Sequence, residues 1–313
     1  MSDARVVWLD GRLVLDDQPH LRVTDRGFQL GDGVFETLRA RRGVVIELDE
    51  HLARLRESAA GLAFVLPQTD GAFREAVHDL LVVNELLGDG QDGGPVGDAS
   101  VRITCSRGHL PGRILLPPVD GMVPTVVIQA WPYSPPEARL LSVGVQAVTS
   151  SMHRDAASPM TSVKSTSRAD HIMARLEASR VGADEAIHLT LDGYLAEATT
   201  ANVFLVVGGR LLTPRREDGI LAGTARGWLL ARGVGLGLGV VAAEAVRLEL
   251  TDLLSADEAF LSASVAGIVP LTRINGRPIG SGLPGPLTTR LREAREQWID
   301  AVSRAEPDRC PAS

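Results

Sequence analysis

The chain has 313 residues, 44% of them hydrophobic, enough length and apolar content for about two domains with sizeable cores. A net charge of −7 with dispersed arginines argues against nucleic acid as the main partner, and the apolar stretches are too short and interrupted for a membrane span. The two cysteines, Cys105 and Cys310, are too few and too separate for a disulfide framework or a zinc site, so a reducing cytoplasm is the expected compartment. No export signal is legible at the start.

The first third reads as strands followed by helices. Val6–Leu9 and Arg12–Leu15 flank Asp10-Gly11, a two-residue hairpin signal, and Val34–Arg41 with Val44–Leu48 form a second pair around Arg42-Gly43. From Asp49 the spacing turns helical, with Leu52, Leu55 and Ala59 on one face, and a second helix over about Asp70–Leu87 carries Phe73, Val77 and Leu80. Gly88–Asp98 reads as a surface loop, and strands resume at Ser100–Cys105 and Thr125–Trp131. Three prolines make 132–138 the candidate linker between a small N-terminal domain, 1–131, and a larger C-terminal domain, 139–306, with 307–313 as a loose tail.

Beyond the linker, Val143–Thr149 reads as a strand and Arg168–Arg180 as a helix with Ile172, Met173 and Leu176 in helical spacing. Ala186–Leu191 and Tyr194–Val207 read as strands hinged at Asp192-Gly193. A helix over Ala225–Arg232, a hairpin at Asn275-Gly276 and an amphipathic terminal helix over Pro286–Arg304 complete the set. Hairpins mixed with helices, without regular βαβ alternation, indicate an α+β fold. His78 and His171 sit at helical positions, His51 reads as orienting the start of its helix, and His188 reads as a strand residue. The seven histidines show no metal-ligand spacing, and no metal is expected. Trp131, Trp228 and Trp298 read as core or interface residues.

Of the 32 basic side chains 31 are arginine; the exception is Lys164. A guanidinium stays protonated at any working pH, whereas a lysine amine can lose its proton and condense with an aldehyde. The single lysine therefore points to Schiff-base chemistry, the alternative being a composition bias in which one lysine survived. An aldehyde cofactor such as pyridoxal 5′-phosphate also needs a carboxylate for its ring nitrogen, and amides, hydroxyls and an arginine for its phosphate. Glu197 stands alone in the small, apolar run LAEATTANVF from 195 to 204, so it is either that carboxylate or an outward charge on an edge strand. Gly223-Thr224-Ala225 directly precedes a helix whose free N–H groups attract phosphate.

Three runs carry a specific resemblance: DRGFQLGDGVFETLRA at 25–40 with HLARLRESA at 51–59, the long run from Lys164 to Val206, and LLTPRREDGILAGTAR at 211–226. In this order and over nearly the whole chain they are similar to the class IV aminotransferases, the fold-type IV pyridoxal-phosphate enzymes. The resemblance implies a two-domain α+β fold, a small N-terminal α/β domain and a larger one with a β-barrel-like core. It further implies a homodimer acting on a small-molecule amino donor and a keto acid. It makes Lys164 the Schiff-base residue, Glu197 the ring-nitrogen partner and Arg54 a phosphate ligand. Gly223, Thr224 and Ala225 become the phosphate loop, with the family's Gly-Ile-Thr-Arg reading Gly-Thr-Ala-Arg here, and Ser264 replaces a threonine that binds phosphate in the family. Phe35 is implied at the substrate pocket.

The family holds both transaminases and 4-amino-4-deoxychorismate lyases, and the shared catalytic residues do not separate them. The 25–36 run looks most like D-amino-acid aminotransferases, which makes a transaminase with a D-type donor, with (R)-primary amines as further donors, the leading expectation. The lyase and a branched-chain L-amino-acid aminotransferase are the alternatives. The D-type Arg-x-His carboxylate clamp is altered in SRGHLPGRILLPP at 106–118, leaving Arg107, His109 and Arg113 as candidates, Arg113 foremost. A non-catalytic binding protein on this fold is disfavoured by the retention of Lys164, Glu197 and Arg54 together.

Overall fold

The computed structural model describes residues 5–18, 21–88, 97–112, 114–118 and 120–305. The chain divides into two compact units, Met1–Ser134 with Val163–Ser167 and Ile299–Ser313, and Pro135–Ser162 with Arg168–Trp298. Lys164 therefore clusters with the first unit although it lies 30 residues beyond Ser134 in sequence.

The first unit is built on a six-stranded antiparallel sheet in the order β2-β1-β6-β5-β3-β4. Its strands are β1 (Val6–Leu9), β2 (Arg12–Leu15), β3 (Gly33–Arg41), β4 (Val44–Val45), β5 (Asp98–Ser106) and β6 (Thr125–Pro132). Asp10 and Gly11 have φ of 46° and 91°, the two positive values that a tight hairpin turn requires. The partner of β3 is shorter than the expected Val44–Leu48, because Glu47 takes φ 55° and the helix begins at Leu48. A one-turn helix α1 (Arg26–Leu30), not anticipated, precedes β3, and α2 (Leu48–Gly61) and α3 (Asp70–Val83) lie against one sheet face. The predicted stripes are the buried ones: Leu52, Leu55, Phe73, Val77 and Leu80 meet Val34, Leu38, Val101, Ile103 and Ile128 from the strands. Each such side chain contributes roughly 1.5–3 kcal/mol by leaving water. Helix α3 stops at Val83, four residues short of the expectation, where Asn84 turns its amide back to Leu80 and across to Val6. Residues 89–96 of the expected surface loop and the 307–313 tail lie outside the described residues.

The second unit opens with helix α4 (Ala138–Ser142), which shortens the expected strand to β7 (Val145–Thr149). Helix α5 (Ala169–Arg180) follows. Strands β8 (Glu185–Leu189), β9 (Leu195–Ala198), β10 (Asn202–Val207), β11 (Arg210–Thr213), β12 (Ala242–Ala245), β13 (Glu258–Ala263), β14 (Gly267–Ile274) and β15 (Arg277–Pro278) share one sheet. The pairing of β9 with β10 closes β10-β13-β14-β7-β8-β9 into a six-stranded barrel, while β11 and β12 extend it and β15 pairs with β14. The predicted strand Tyr194–Val207 is thus two strands, because the chain bends back at 199–201 and sets Glu197 opposite Asn202. Helices α6 (Thr224–Arg232), α7 (Leu250–Ser255) and α8 (Pro286–Ala305) complete the fold. Trp228 and Trp298 pack 5.7 Å apart with Arg295 over both rings, and Trp131 is half-buried on β6. The α5 stripe differs from expectation: Ile172, Met173 and Leu176 are exposed, and the helix packs through His171, Ala174 and Ala178. Small alanines on that face let α5 settle closely on Ala186 of β8.

Candidate active site

The first unit clamps the backbone of Lys164 on two sides. Phe35 N–H donates to Lys164 O at 3.0 Å and Thr166 N–H to Gly33 O at 2.8 Å, so residues 164–166 run along β3. Lys164 N–H donates to Ser58 Oγ on α2 at 3.1 Å. With its main chain held, the half-buried side chain sets Nζ 4.7 Å from the centre of the Phe35 ring.

Arg54 lies on the helix-covered side of the same sheet, in a triad that sequence spacing did not reveal. Its Nε and Nη2 donate to Glu36 Oε1 and Oε2, both at 2.7 Å, and His51 Nδ1 stands 2.7 Å from Glu36 Oε2. His51 Nδ1 therefore serves this carboxylate. All three residues are buried. Burial alone would raise the Glu36 carboxyl, but the bonds from Arg54 and His51 outweigh it and hold the pKa at about 2. The ionised acid fixes the guanidinium in one orientation.

The second unit gathers the remaining groups around the bend between β9 and β10. Glu197 is 6% exposed on a barrel strand, which excludes an outward edge-strand charge. Its Oε2 accepts the Leu221 N–H at 3.0 Å, and its Oε1 lies 3.2 Å from Arg154 Nη2. Arg154 is itself fixed by its Nε, which donates to Gly219 O at 3.1 Å. Asn202 Nδ2 donates to Leu221 O at 2.9 Å, so both polar groups of Leu221 are tied to β9 and β10. Two residues on, Gly223 caps α6 at a place where a Cβ would stand 2.2 Å from Asn202 Oδ1. Thr224 opens the helix, and its Oγ1 lies 2.8 Å from Ser264 Oγ. His188 is buried, with Nδ1 2.7 Å from Met152 O and its ring edge-on to His171.

These groups fit pyridoxal 5′-phosphate. A helix N-terminus with two hydroxyls 2.8 Å apart suits a phosphate, and a buried carboxylate suits a protonated ring nitrogen. The substrate-side candidates fare differently. Arg107 is already engaged, with Nε 2.8 Å and Nη2 3.1 Å from Asp32 and Nη1 bonded to Ala63 O. His109 is held between Thr24 Oγ1, at 2.6 Å, and Arg22. Arg113 lies outside the described residues. Sequence reasoning missed Glu36, Arg154 and Asn202; the only signal for them was charge or amide polarity within otherwise buried strands or short loops.

A closed six-stranded barrel carrying the carboxylate, in a chain whose other unit clamps a lone lysine beside an antiparallel sheet, has the architecture of the fold-type IV pyridoxal-phosphate enzymes. The family model Amino-transferase class IV matches residues 33–274, and the chain belongs to that family. It is 34% identical over 299 residues to a putative branched-chain-amino-acid aminotransferase of Methanocaldococcus jannaschii, covering 93% of this chain and 97% of that one. It is 31% identical over 293 residues to the D-alanine aminotransferase of Bacillus licheniformis, covering 94% and 96%. The branched-chain amino acid aminotransferase of Escherichia coli superposes with a TM-score of 0.86 at 27% identity, covering 95% of each chain. The protein is thus an aminotransferase that uses pyridoxal 5′-phosphate.

Proposed function

We propose that the chain transfers the amino group of an aliphatic amino acid, D-enantiomers foremost, to a 2-keto acid. The observation that carries the catalytic assignment is Glu197, a carboxylate 6% exposed and fixed by Arg154 and the Leu221 amide. When bound, the cofactor supplies an aldehyde and an electron sink. Lys164 would hold that aldehyde through its amine and, once displaced by the amine of the substrate, would serve as the base and acid that moves the substrate's Cα proton. Glu197 would pair with the protonated ring nitrogen, and Arg154 with the Leu221 amide keeps Glu197 aimed. Thr224, Ala225 and Ser264, with Arg54 as a further cation, bind the phosphate. Phe35, whose ring faces the Lys164 amine, borders the substrate.

The D-type preference rests on the 25–36 run and on the similarity to a D-alanine aminotransferase. A second reading, a branched-chain L-amino-acid donor, is favoured by the 34% identical relative. We propose a homodimer as the assembly, supported by the exposed apolar side chains Val23, Phe28, Leu115, Leu116 and Val123, each at least 75% exposed in the first unit. The buried free thiol of Cys105 suits a reducing cytoplasm.

The test offers the yellow enzyme D-alanine, D-valine, L-leucine, L-valine, (R)- and (S)-1-phenylethylamine and aminodeoxychorismate separately. Conversion to the pyridoxamine form is read by absorbance, and pyruvate by a coupled assay. Fastest conversion by D-alanine or D-valine supports the first reading and exclusive use of L-leucine and L-valine the second, while pyruvate from aminodeoxychorismate alone sinks both.

A further inference from the structure

His188 of β8 is buried, 1% exposed, beside the loop that presents Arg154. β7 and β8 run parallel in register up to the pair Thr149–Ile187, and the next bridge joins Arg154 to Thr190. The chain takes five steps on the first side against three on the second, so two extra residues bow out between the two pairs. Backbone bonds close this bulge at both ends, Ser150 N–H to Ile187 O at 2.9 Å and Arg154 N–H to Leu189 O at 2.8 Å. Between them Met152 N–H turns to Ser150 Oγ at 2.9 Å, and Met152 O takes its hydrogen bond from a side chain, His188 Nδ1 at 2.7 Å.

A carbonyl can only accept, so the His188 proton sits on Nδ1. Burial, aided by the charge of Arg154, pushes the His188 pKa below its ordinary 6.5 and outweighs the bond to Met152 and the carboxylates of Asp170 and Glu185, so the ring is neutral and carries that one proton. Nε2 is then a bare acceptor, buried and without a hydrogen-bond partner among the described residues, which costs stability where a leucine would not. What the ring contributes is the bond to Met152. His171 of α5 stands edge-on to it, 5.2 Å between ring centres, and steadies its tilt. Glu177 of α5 holds the opening of the bulge, accepting from Ser150 Oγ and Ser151 N–H at 3.1 and 3.0 Å. Two residues past Met152, Arg154 sends Nε to Gly219 O and Nη2 to Glu197 Oε1. The bond on Met152 therefore anchors the span from which Arg154 reaches Glu197.

We propose that His188 is a positioning residue for the transamination: through its hydrogen bond to the Met152 carbonyl it fixes the 150–154 bulge, and with it the Arg154 guanidinium that aims Glu197. This assignment rests on the reading of Glu197 as the ring-nitrogen partner. Its effect falls on turnover and not on substrate binding.

The experiment compares His188→Leu, His188→Gln and His188→Asn holoenzymes with the parent, each alone and combined with Arg154→Gln. His188→Leu removes the donor, His188→Gln moves it to the place of Nε2, and His188→Asn keeps it at the place of Nδ1. Turnover with the best amino donor falls at least about fivefold in His188→Leu and His188→Gln, with Michaelis constants within about twofold of the parent, and His188→Asn recovers most of the loss. Added to Arg154→Gln, His188→Leu or His188→Gln lowers turnover by less than about twofold more, because the residue through which His188 acts is already gone. His188→Gln keeps a polar side chain and carries the comparison where His188→Leu fails to fold. In the 15N-histidine NMR spectrum of the cofactor-free protein, His188 resonates as the neutral Nδ1–H tautomer. Parent-level turnover in His188→Gln or in Arg154→Gln, losses that multiply in the double variants, a His188→Asn enzyme no better than His188→Gln, or an Nε2–H tautomer overturns the proposal. Parent-level turnover in Glu197→Gln overturns the reading of Glu197 itself, whatever His188 does.

Discussion

Glu197 shows how one buried charge can define a site. Its two oxygens are committed to Arg154 and the Leu221 amide, so its orientation is set before any ligand arrives. Replacing it by glutamine removes the charge proposed to keep the ring nitrogen protonated while leaving the shape nearly unchanged. Glu197→Gln is expected to retain the lysine-bound cofactor band and to lose turnover at least about tenfold, as for an interaction worth more than about 1.4 kcal/mol. Steady-state assay of the loaded variant checks this, and near-normal turnover would remove Glu197 from the chemistry. Glu36 offers an independent test through stability. Its folded pKa of about 2 lies below the ordinary 4.5, so the stability it confers is complete above 4.5 and drains away as pH falls towards 2. The loss is on the order of 3 kcal/mol. Urea midpoints between pH 5 and pH 2 should fall more steeply for the parent than for Glu36→Gln; parallel slopes would mean that the carboxyl is not ionised in the fold. Lys164 and Glu197 were legible in the sequence because each is rare in its surroundings, one among 31 arginines and one in an apolar run. Arg154 was not, since an arginine among so many carries no compositional signal and its partners are set by folding.

At the scale of elements, Leu221 links two functions. Its N–H meets Glu197 on β9, its carbonyl meets Asn202 on β10, and two residues later the chain enters α6 at the hydroxyl pair of Thr224 and Ser264. In the proposed reading, the ring-nitrogen partner and the phosphate terminus are therefore positioned through one short loop. Gly223 has to be a glycine there, because a side chain would collide with Asn202 Oδ1. Gly223→Ala should displace the loop, weaken cofactor binding at least about tenfold and partly recover activity at excess pyridoxal phosphate. Equilibrium dialysis measures this, and an unchanged dissociation constant would show that Asn202 yields without moving the loop. Helix positions were well predicted where large apolar residues recur at helical spacing, as in α2 and α3. The bend that splits β9 from β10 was missed because Thr199-Thr200-Ala201 contains no glycine or proline to mark it. The buried side of α5 was misread for a related reason: its contact face is small and its larger apolar residues stay exposed.

At the scale of the whole molecule, the division of labour is what the sequence hides. Lys164 follows the expected linker, yet it clusters with the N-terminal unit through β3 and α2, while Glu197, Thr224 and Ser264 belong to the barrel unit. Strand and helix patterns are local, whereas the assignment of a five-residue segment to a distant sheet depends on backbone hydrogen bonds between residues more than 100 positions apart. The barrel closes through a local contact, Glu197 of β9 against Asn202 of β10, yet the barrel as a whole was expected only through family resemblance. The central claim is that Lys164 alone holds the cofactor. Borohydride reduction of the yellow enzyme, followed by peptide mass mapping, tests it most directly. One pyridoxyl group per chain on the peptide containing Lys164, and none on Lys164→Ala, is the predicted result; reduced protein without added mass, or a Lys164→Ala variant that turns over at the parent rate, would contradict it.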